Sequence, residues 1–153
     1  MTVSPKVSPF LWFDGQAREA AEFYVSVFPN SRILNDSEVS SGPAEGGGLV
    51  EFEIDGQNFG AVDGGPMFKF TPAISFVIDC DSQEEIDYFW EKLSEDGEPG
   101  QCGWLQDKFG LSWQVVPAIL PDLLESNGEA VMGALLKMGK LDIEELRRAA
   151  EGG

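Results

Sequence analysis

Histidine is absent from the 153 residues. Its absence removes the commonest transition-metal ligand and the side chain that ordinarily titrates nearest neutral pH, so any metal site or proton relay must use other groups. Cysteine is scarce. Cys80 and Cys102 are too few for a disulfide framework and too far apart for a Cys-x-x-Cys site. Basic residues number 10 against 27 acidic ones, and the resulting charge of −17 repels phosphate backbones and anionic lipid. Neither a nucleic-acid nor a membrane partner is expected. No apolar run approaches the ~20 residues that span a bilayer. The opening Met1-Thr2-Val3-Ser4-Pro5-Lys6 lacks the basic-then-apolar layout of a secretory signal. The cytoplasm is the expected location.

What is present is an ordinary globular composition, with 42% apolar residues, enough to bury a core. The apolar run Val7–Phe13 predicts a buried strand, and Asp14-Gly15 a turn and helix cap. Ala17, Ala20, Ala21, Tyr24, Val25 and Phe28 follow at the spacing of one helix face, stopped by Pro29-Asn30-Ser31. Arg32–Val39 is expected as a strand and the Gly-, Ser- and Pro-rich 40–48 stretch as a loop. Leu49–Ile54 and Gln57–Val62 flank Asp55-Gly56, a pair suited to a type I′ hairpin turn.

The second half repeats this order. Ala73–Ile78 predicts a strand, Ser82-Gln83-Glu84-Glu85 a capping box, and Ile86, Phe89, Trp90 and Leu93 a helical stripe ended near Gly97. Glu98–Trp104 and Leu111–Val116 are expected as strands around Asp107-Lys108-Phe109-Gly110. At a shift of 65 residues Phe13-Asp14 meets Ile78-Asp79 and Phe28 meets Leu93, which points to an internal duplication. After Pro117 the pattern becomes helical. A short helix is expected to end at Asn127-Gly128, and another carries Val131, Leu135 and Met138. A last one begins at the capping box Asp142-Ile143-Glu144-Glu145, with Leu141 and Leu146 as a hydrophobic staple. The expected organisation is α+β: a paired domain over 1–117, with modules at about 7–64 and 72–117, and a helical extension over 118–153.

Strand side chains alternate faces, so parity sorts them. Val50, Phe52 and Ile54 form an apolar face suited to packing under helices; Leu49, Glu51 and Glu53 share the other. Phe10 and Trp12 share a face, and Ser112, Gln114 and Val116 oppose Leu111, Trp113 and Val115. A face carrying Phe10, Trp12, Glu51, Ser112 and Gln114 has aromatic walls and a few polar groups, the composition of a ligand pocket. The competing reading is a wetted sheet with ordinary core aromatics.

Several segments resemble the opening of PhnB-like proteins: Pro9-Phe10-Leu11-Trp12-Phe13-Asp14-Gly15 and Ala20-Ala21-Glu22-Phe23-Tyr24-Val25-Ser26-Val27-Phe28-Pro29-Asn30-Ser31. Asp55-Gly56-Gln57, Gly64-Gly65-Pro66-Met67-Phe68-Lys69-Phe70 and the stretch from Cys102 through Asp107-Lys108-Phe109-Gly110-Leu111-Ser112-Trp113-Gln114 to Pro117 extend the resemblance. The family is the 3-demethylubiquinone-9 3-methyltransferase-like branch of the glyoxalase/bleomycin-resistance (vicinal oxygen chelate) superfamily. The resemblance covers about Ser8 to Leu146. It implies paired βαβββ modules, half-open β-barrels and a homodimer. It also implies four metal-ligand positions, which here fall on Phe10, Glu51 (or Leu49), Ala73 and Gln114, and Met67 stands where family members often carry histidine.

Phenylalanine and alanine offer no lone pair, and two oxygens fall short of a catalytic zinc or oxygen-cage site, so no metal and no cofactor is expected. No strand is followed by a glycine-rich loop that opens a helix, so methyl transfer from a nucleoside cofactor is not expected either. The leading expectation is a metal-free small-molecule-binding protein with a pocket of Phe10, Trp12, Leu49, Glu51, Met67, Phe70, Ala73, Trp113 and Gln114. An aromatic pocket would disfavour the charged form of Glu51 by desolvation. The alternative is an enzyme that uses Glu51 as a general base, with Lys108 as the nearest acid. Cys80 and Cys102 have no histidine to activate them and are expected to be inert. A third possibility is an interaction module whose cavity is filled by its own side chains.

Overall fold

The computed structural model describes residues 6–152, so the opening Met1–Pro5, read above as no secretory signal, lies outside them. The chain forms two compact units, Met1–Phe70 and Thr71–Gly153. In the first, β1 (Phe10–Phe13), α1 (Ala17–Val27), β2 (Arg32–Glu38), β3 (Gly48–Ile54) and β4 (Gln57–Asp63) form a four-stranded sheet ordered β1-β4-β3-β2 with one helix. β1 pairs with β4 in parallel, and the remaining pairs are antiparallel. Ala17, Ala20, Ala21, Tyr24 and Val27 make the buried stripe of α1. Tyr24 stacks on Phe52 at 6.2 Å between centroids, and Phe52 on Phe59 at 5.3 Å. Burying each such aromatic contributes on the order of 1.5–3 kcal/mol.

Two local expectations are corrected here. β1 begins at Phe10, not Val7, and Val7 is exposed. The cap of α1 is not Asp14-Gly15. Gln16 occupies the cap position without a side-chain bond, and Asp63 Oδ1, from the end of β4, accepts from the Ala17 N–H at 2.8 Å. A residue 46 positions away therefore satisfies an orphan donor of the first turn. The hairpin turn follows the expectation. Asp55 and Gly56 have φ of 47° and 86°, the two positive values a type I′ turn needs, and Ile54 pairs with Gln57.

The second unit repeats the plan. β5 (Ser75–Cys80), α2 (Gln83–Ser94), β6 (Glu98–Pro99), β7 (Trp104–Gln106) and β8 (Ser112–Pro117) form a sheet ordered β5-β8-β7-β6. β5 is parallel to β8, as β1 is to β4. Neither sheet closes on itself. α2 begins as its sequence dictates: Ser82 Oγ accepts from the Glu85 N–H, and Glu85 Oε1 accepts from the Asp81 N–H. The strand expected over Glu98–Trp104 is interrupted. Cys102 and Gly103 take positive φ, and their N–H groups bond to the carbonyls of Met138 and Gly139 instead of a neighbouring strand.

Those carbonyls lie in the connection between the two C-terminal helices, α3 (Leu120–Leu135) and α4 (Ile143–Gly152), which belong to the second unit. α3 runs past the expected stop, but Asn127 is non-helical (φ −155°, ψ 76°), so the Asn-Gly signal appears as a kink. Val131, Leu135, Met138, Leu141 and Leu146 close a core with Val116. Gln83 locks the arrangement: its Nε2 donates to the Leu141 carbonyl and its Oε1 accepts from the Ile143 N–H. No helix among the described residues is long and apolar enough to cross a membrane.

Candidate functional site

The first sheet places four of the expected site residues on one face. Register sets Phe10, Gly60, Glu51 and Asn35 in one row, and Trp12, Val62, Leu49 and Ser37 in the next. The opposite parity, Leu11, Phe13, Val50, Phe52 and Ile54, is buried. Gly60 is required in its row, because a β-carbon there would collide with the ring of Phe10. Trp12 Nε1 donates to the Gly65 carbonyl at 2.9 Å, and Phe68 packs edge-on against the Trp12 ring at 4.9 Å. Phe68 was missed by strand parity because it lies in a loop. Met67 is exposed there as well, whereas Phe70 contacts Phe13, a residue of the buried parity. Glu51 is exposed. Among the described residues no aromatic enclosure of the kind expected surrounds it.

The second sheet presents a different face. Ser75, Ser112, Gln106 and Glu98 form one row; Val77, Gln114 and Trp104 form the next. A cavity of about 310 Å³ opens here, lined among others by Pro72, Glu98, Pro99, Trp104, Gln106 and Ser112. Gln114 Nε2 donates to Ser75 Oγ at 3.0 Å. Ser112 is 1% exposed, and its Oγ has no hydrogen-bond partner among the described residues. Trp104, Gln106 and Ser75 were legible from the same alternation, but only once the short β7 and its register were known.

Two expected pocket residues lie elsewhere. Trp113 is 3% exposed, packs against Phe76 and donates its Nε1 to Asp107 Oδ2 at 2.9 Å, on the buried parity opposite Gln114. It is a core residue. Ala73 precedes β5 and is exposed.

Asp107, only 2% exposed, holds the cavity-bearing strand in place. Besides the Trp113 indole it accepts from the N–H groups of Phe109 and Leu111 through Oδ1, which closes the Asp-Lys-Phe-Gly turn before β8. Lys108 is exposed in that turn, over the Phe109 ring at 5.5 Å. Of the two free thiols, Cys80 is buried and Cys102 partly so. Burial pushes the Cys80 thiol up to about 12, and the carboxylates of Glu85, Asp79 and Asp81 add to it. A protonated thiol is a poor nucleophile. Asp87 is held below the ordinary carboxylate value by hydrogen bonds from Lys140 and Gln83. Among the described residues no group of three or more His, Cys, Asp or Glu is placed to hold a metal ion.

The family model described as 3-demethylubiquinone-9 3-methyltransferase matches residues 5–116. A PhnB protein from Bacillus cereus, itself described as a putative 3-demethylubiquinone-9 3-methyltransferase, is 38% identical. The match covers 73% of this chain and 99% of that one, with a TM-score of 0.65. Protein PA1353 from Pseudomonas aeruginosa is similar in fold at 18% identity (TM-score 0.60; 74% and 98% covered). So is the fosfomycin resistance protein FosX from Listeria monocytogenes, solved with Mn(II) and sulfate, at 17% identity (TM-score 0.52; 74% and 92% covered). No curated protein matches the chain. With its repeated βαβββ order and matched sequence, the chain belongs to the 3-demethylubiquinone-9 3-methyltransferase (PhnB-like) family.

Proposed function

We propose that this protein binds a small ring-bearing molecule, without a metal ion, on the open faces of its sheets. The observation that carries the proposal is the cavity of about 310 Å³ on the second sheet. Its size is roughly twice that of the ~150 Å³ cavity that holds benzene, which suits a one- or two-ring ligand. Trp104 offers a flat apolar wall and Gln106 an amide that can hydrogen-bond, the balance found in small-molecule sites. Phe10, Trp12, Leu49 and Glu51 give the first sheet a second, more exposed binding face.

The metal-free reading rests on donor chemistry. FosX was solved with Mn(II). Of the positions where resemblance puts ligands, Phe10 and Ala73 present only carbon, which leaves one carboxylate, Glu51, and one amide oxygen, on Gln114. A zinc ion takes three or four protein donors, and a calcium cage six or more oxygens. Methyl transfer from a nucleoside cofactor is disfavoured for a comparable reason. α1 is entered through Gln16 and α2 through Ser82, neither on a glycine-rich loop that would cradle phosphates or a nucleoside.

Function is proposed as cytoplasmic and homodimeric. The exposed Phe10 (62%), Met67 (75%) and Phe68 (58%) supply apolar surface of the kind partners cover. Calorimetry with one- and two-ring probes tests binding directly. Trp104→Ala is expected to weaken it at least tenfold, and unaltered affinity would refute the cavity as the site.

A second reading, an enzyme using Glu51 as general base, is favoured by one observation: Glu51 is exposed on the same face as Phe10 and Trp12. Glu51→Gln separates the two. Turnover lost with binding retained would establish the enzyme.

A further inference from the structure

The cavity of the second sheet carries an indole and a carboxylate on one face, and the register sets their separation. Trp104 and Gln106 lie two residues apart on β7 and so share a face. Glu98 of β6 is directly opposite Gln106 and therefore diagonal to Trp104. Such positions in an antiparallel pair are about 5 Å and about 7–8 Å apart. Opposite Trp104 stands Gly100, whose N–H donates to the Trp104 carbonyl at 2.9 Å. A glycine brings no side chain, so it leaves the indole uncovered from that side. All four residues line the cavity. We infer that the ligand of this cavity is a cation, a ring-bearing ammonium or protonated amine held between the Glu98 carboxylate and the Trp104 ring. The binding proposal above is its premise, and the ligand's charge is what it adds.

Charge decides which ring the cavity prefers. A cation beside Glu98 meets an opposite charge, and within about 6 Å of an indole face it is attracted by the ring quadrupole as well. The diagonal spacing lets one ammonium meet both groups. A neutral ligand of the same shape gains neither term. An anion loses on both, because among the described residues no lysine or arginine lines the cavity to receive it. The chain's net charge of −17 adds a field of the same sign. Glu98 is exposed, so water screens its charge and the preference is a matter of severalfold.

Three probes on one ring system test this: 2-naphthylmethylammonium, 2-naphthylmethanol and 2-naphthoate, with dissociation constants measured at pH 7 on the full-length protein. Wild type is expected to bind the ammonium about five- to tenfold tighter than the alcohol, as one exposed ion pair and one cation–π contact together imply. The naphthoate should bind most weakly. Glu98→Gln should bring the ammonium to within about threefold of the alcohol, the share left to the ring, and leave the alcohol unchanged. Glu98 is exposed on an edge strand, so that variant is expected to keep its fold. Glu91→Gln removes the same charge from an exposed position on α2, and should change the ammonium's affinity less than about twofold. Equal affinity of wild type for the ammonium and the alcohol would overturn the cationic ligand while leaving the binding proposal intact. So would an undiminished preference in Glu98→Gln. Equal losses in Glu98→Gln and Glu91→Gln would overturn it too, because the preference would then come from the chain's overall charge. If no probe binds, the binding proposal fails and the inference fails with it.

Discussion

The two units share a topology but not a surface chemistry. On the first sheet the open face carries exposed carboxylate, Glu51, beside partly exposed Glu53, which pairs with Arg32 at 3.2 Å. On the second, the equivalent face carries serine, glutamine and tryptophan, with its exposed carboxylate, Glu98, at the edge, and borders an open cavity. Their turns differ in the same direction. A two-residue Asp-Gly turn joins β3 to β4 and needs nothing from the side chains beyond tolerance of positive φ. A buried aspartate organises the longer β7–β8 connection. A duplicated scaffold can hold its backbone pairing while one copy keeps an open charged face and the other borders a cavity, because alternation leaves the outward residues of each strand free to change.

The contrast can be broken most severely at Asp107. Asp107→Ala strands the buried Leu111 N–H, the part-buried Phe109 N–H and the Trp113 indole, and is expected to lower stability by about 3–5 kcal/mol in urea unfolding. A carboxylate of a different role in the first unit is the comparison: Asp63→Ala removes one helix-cap acceptor and should cost about 1 kcal/mol. A loss at Asp107 no larger than that at Asp63 would show that the second unit's turn does not depend on its carboxylate.

Glycine sharpens the same contrast. Gly103 has φ of 85°, and a β-carbon there would lie 2.8 Å from the Val115 carbonyl oxygen and 3.1 Å from Leu141 Cδ1. Gly56 has nearly the same φ, 86°, with nothing within 4 Å. Gly103→Ala is expected to cost about 2–3 kcal/mol and Gly56→Ala about 1 kcal/mol, the difference being crowding rather than backbone strain. Chemical denaturation of both variants checks it.

Cys80 gives a pH signature confined to the second unit. Its folded value of about 12 lies above the ordinary 9.0, so the folded state holds the proton more tightly. The contribution is complete below pH 9 and is lost as pH rises from 9 towards 12. The fall in stability over that window should be shallower in Cys80→Ala, and an unchanged slope would dissociate Cys80 from it. Cys102, partly exposed, should react with a thiol reagent well before Cys80 at pH 8.

The smallest effect is expected at Asp87, whose carboxylate meets Lys140 Nζ at 2.9 Å on the surface. Its lowered value makes the contribution present above the ordinary carboxylate value and lost as pH falls through the folded one. Asp87→Asn should cost no more than about 0.5 kcal/mol at neutral pH, because exposed ion pairs are solvent-screened.

Local pattern by itself determined much of this protein. The 3.6-residue stripes of α1 and α2, the Ser82 cap, the Asp55-Gly56 turn and the alternation that separates Phe52 from Glu51 all depend on neighbours in sequence. Parity also grouped Phe10, Trp12, Leu49 and Glu51 on one face. Tertiary structure decided the rest. Asp63 caps α1 across 46 residues. Trp113 turns into the core to meet Asp107. The Glu98–Trp104 stretch breaks because Cys102 and Gly103 find better partners at Met138 and Gly139. Ser112 is buried beside a cavity that no periodicity announces. Each of these turns on where a distant segment places its polar groups. A sequence fixes which groups must be satisfied, and only the assembled fold chooses the partners that satisfy them, or leaves one without.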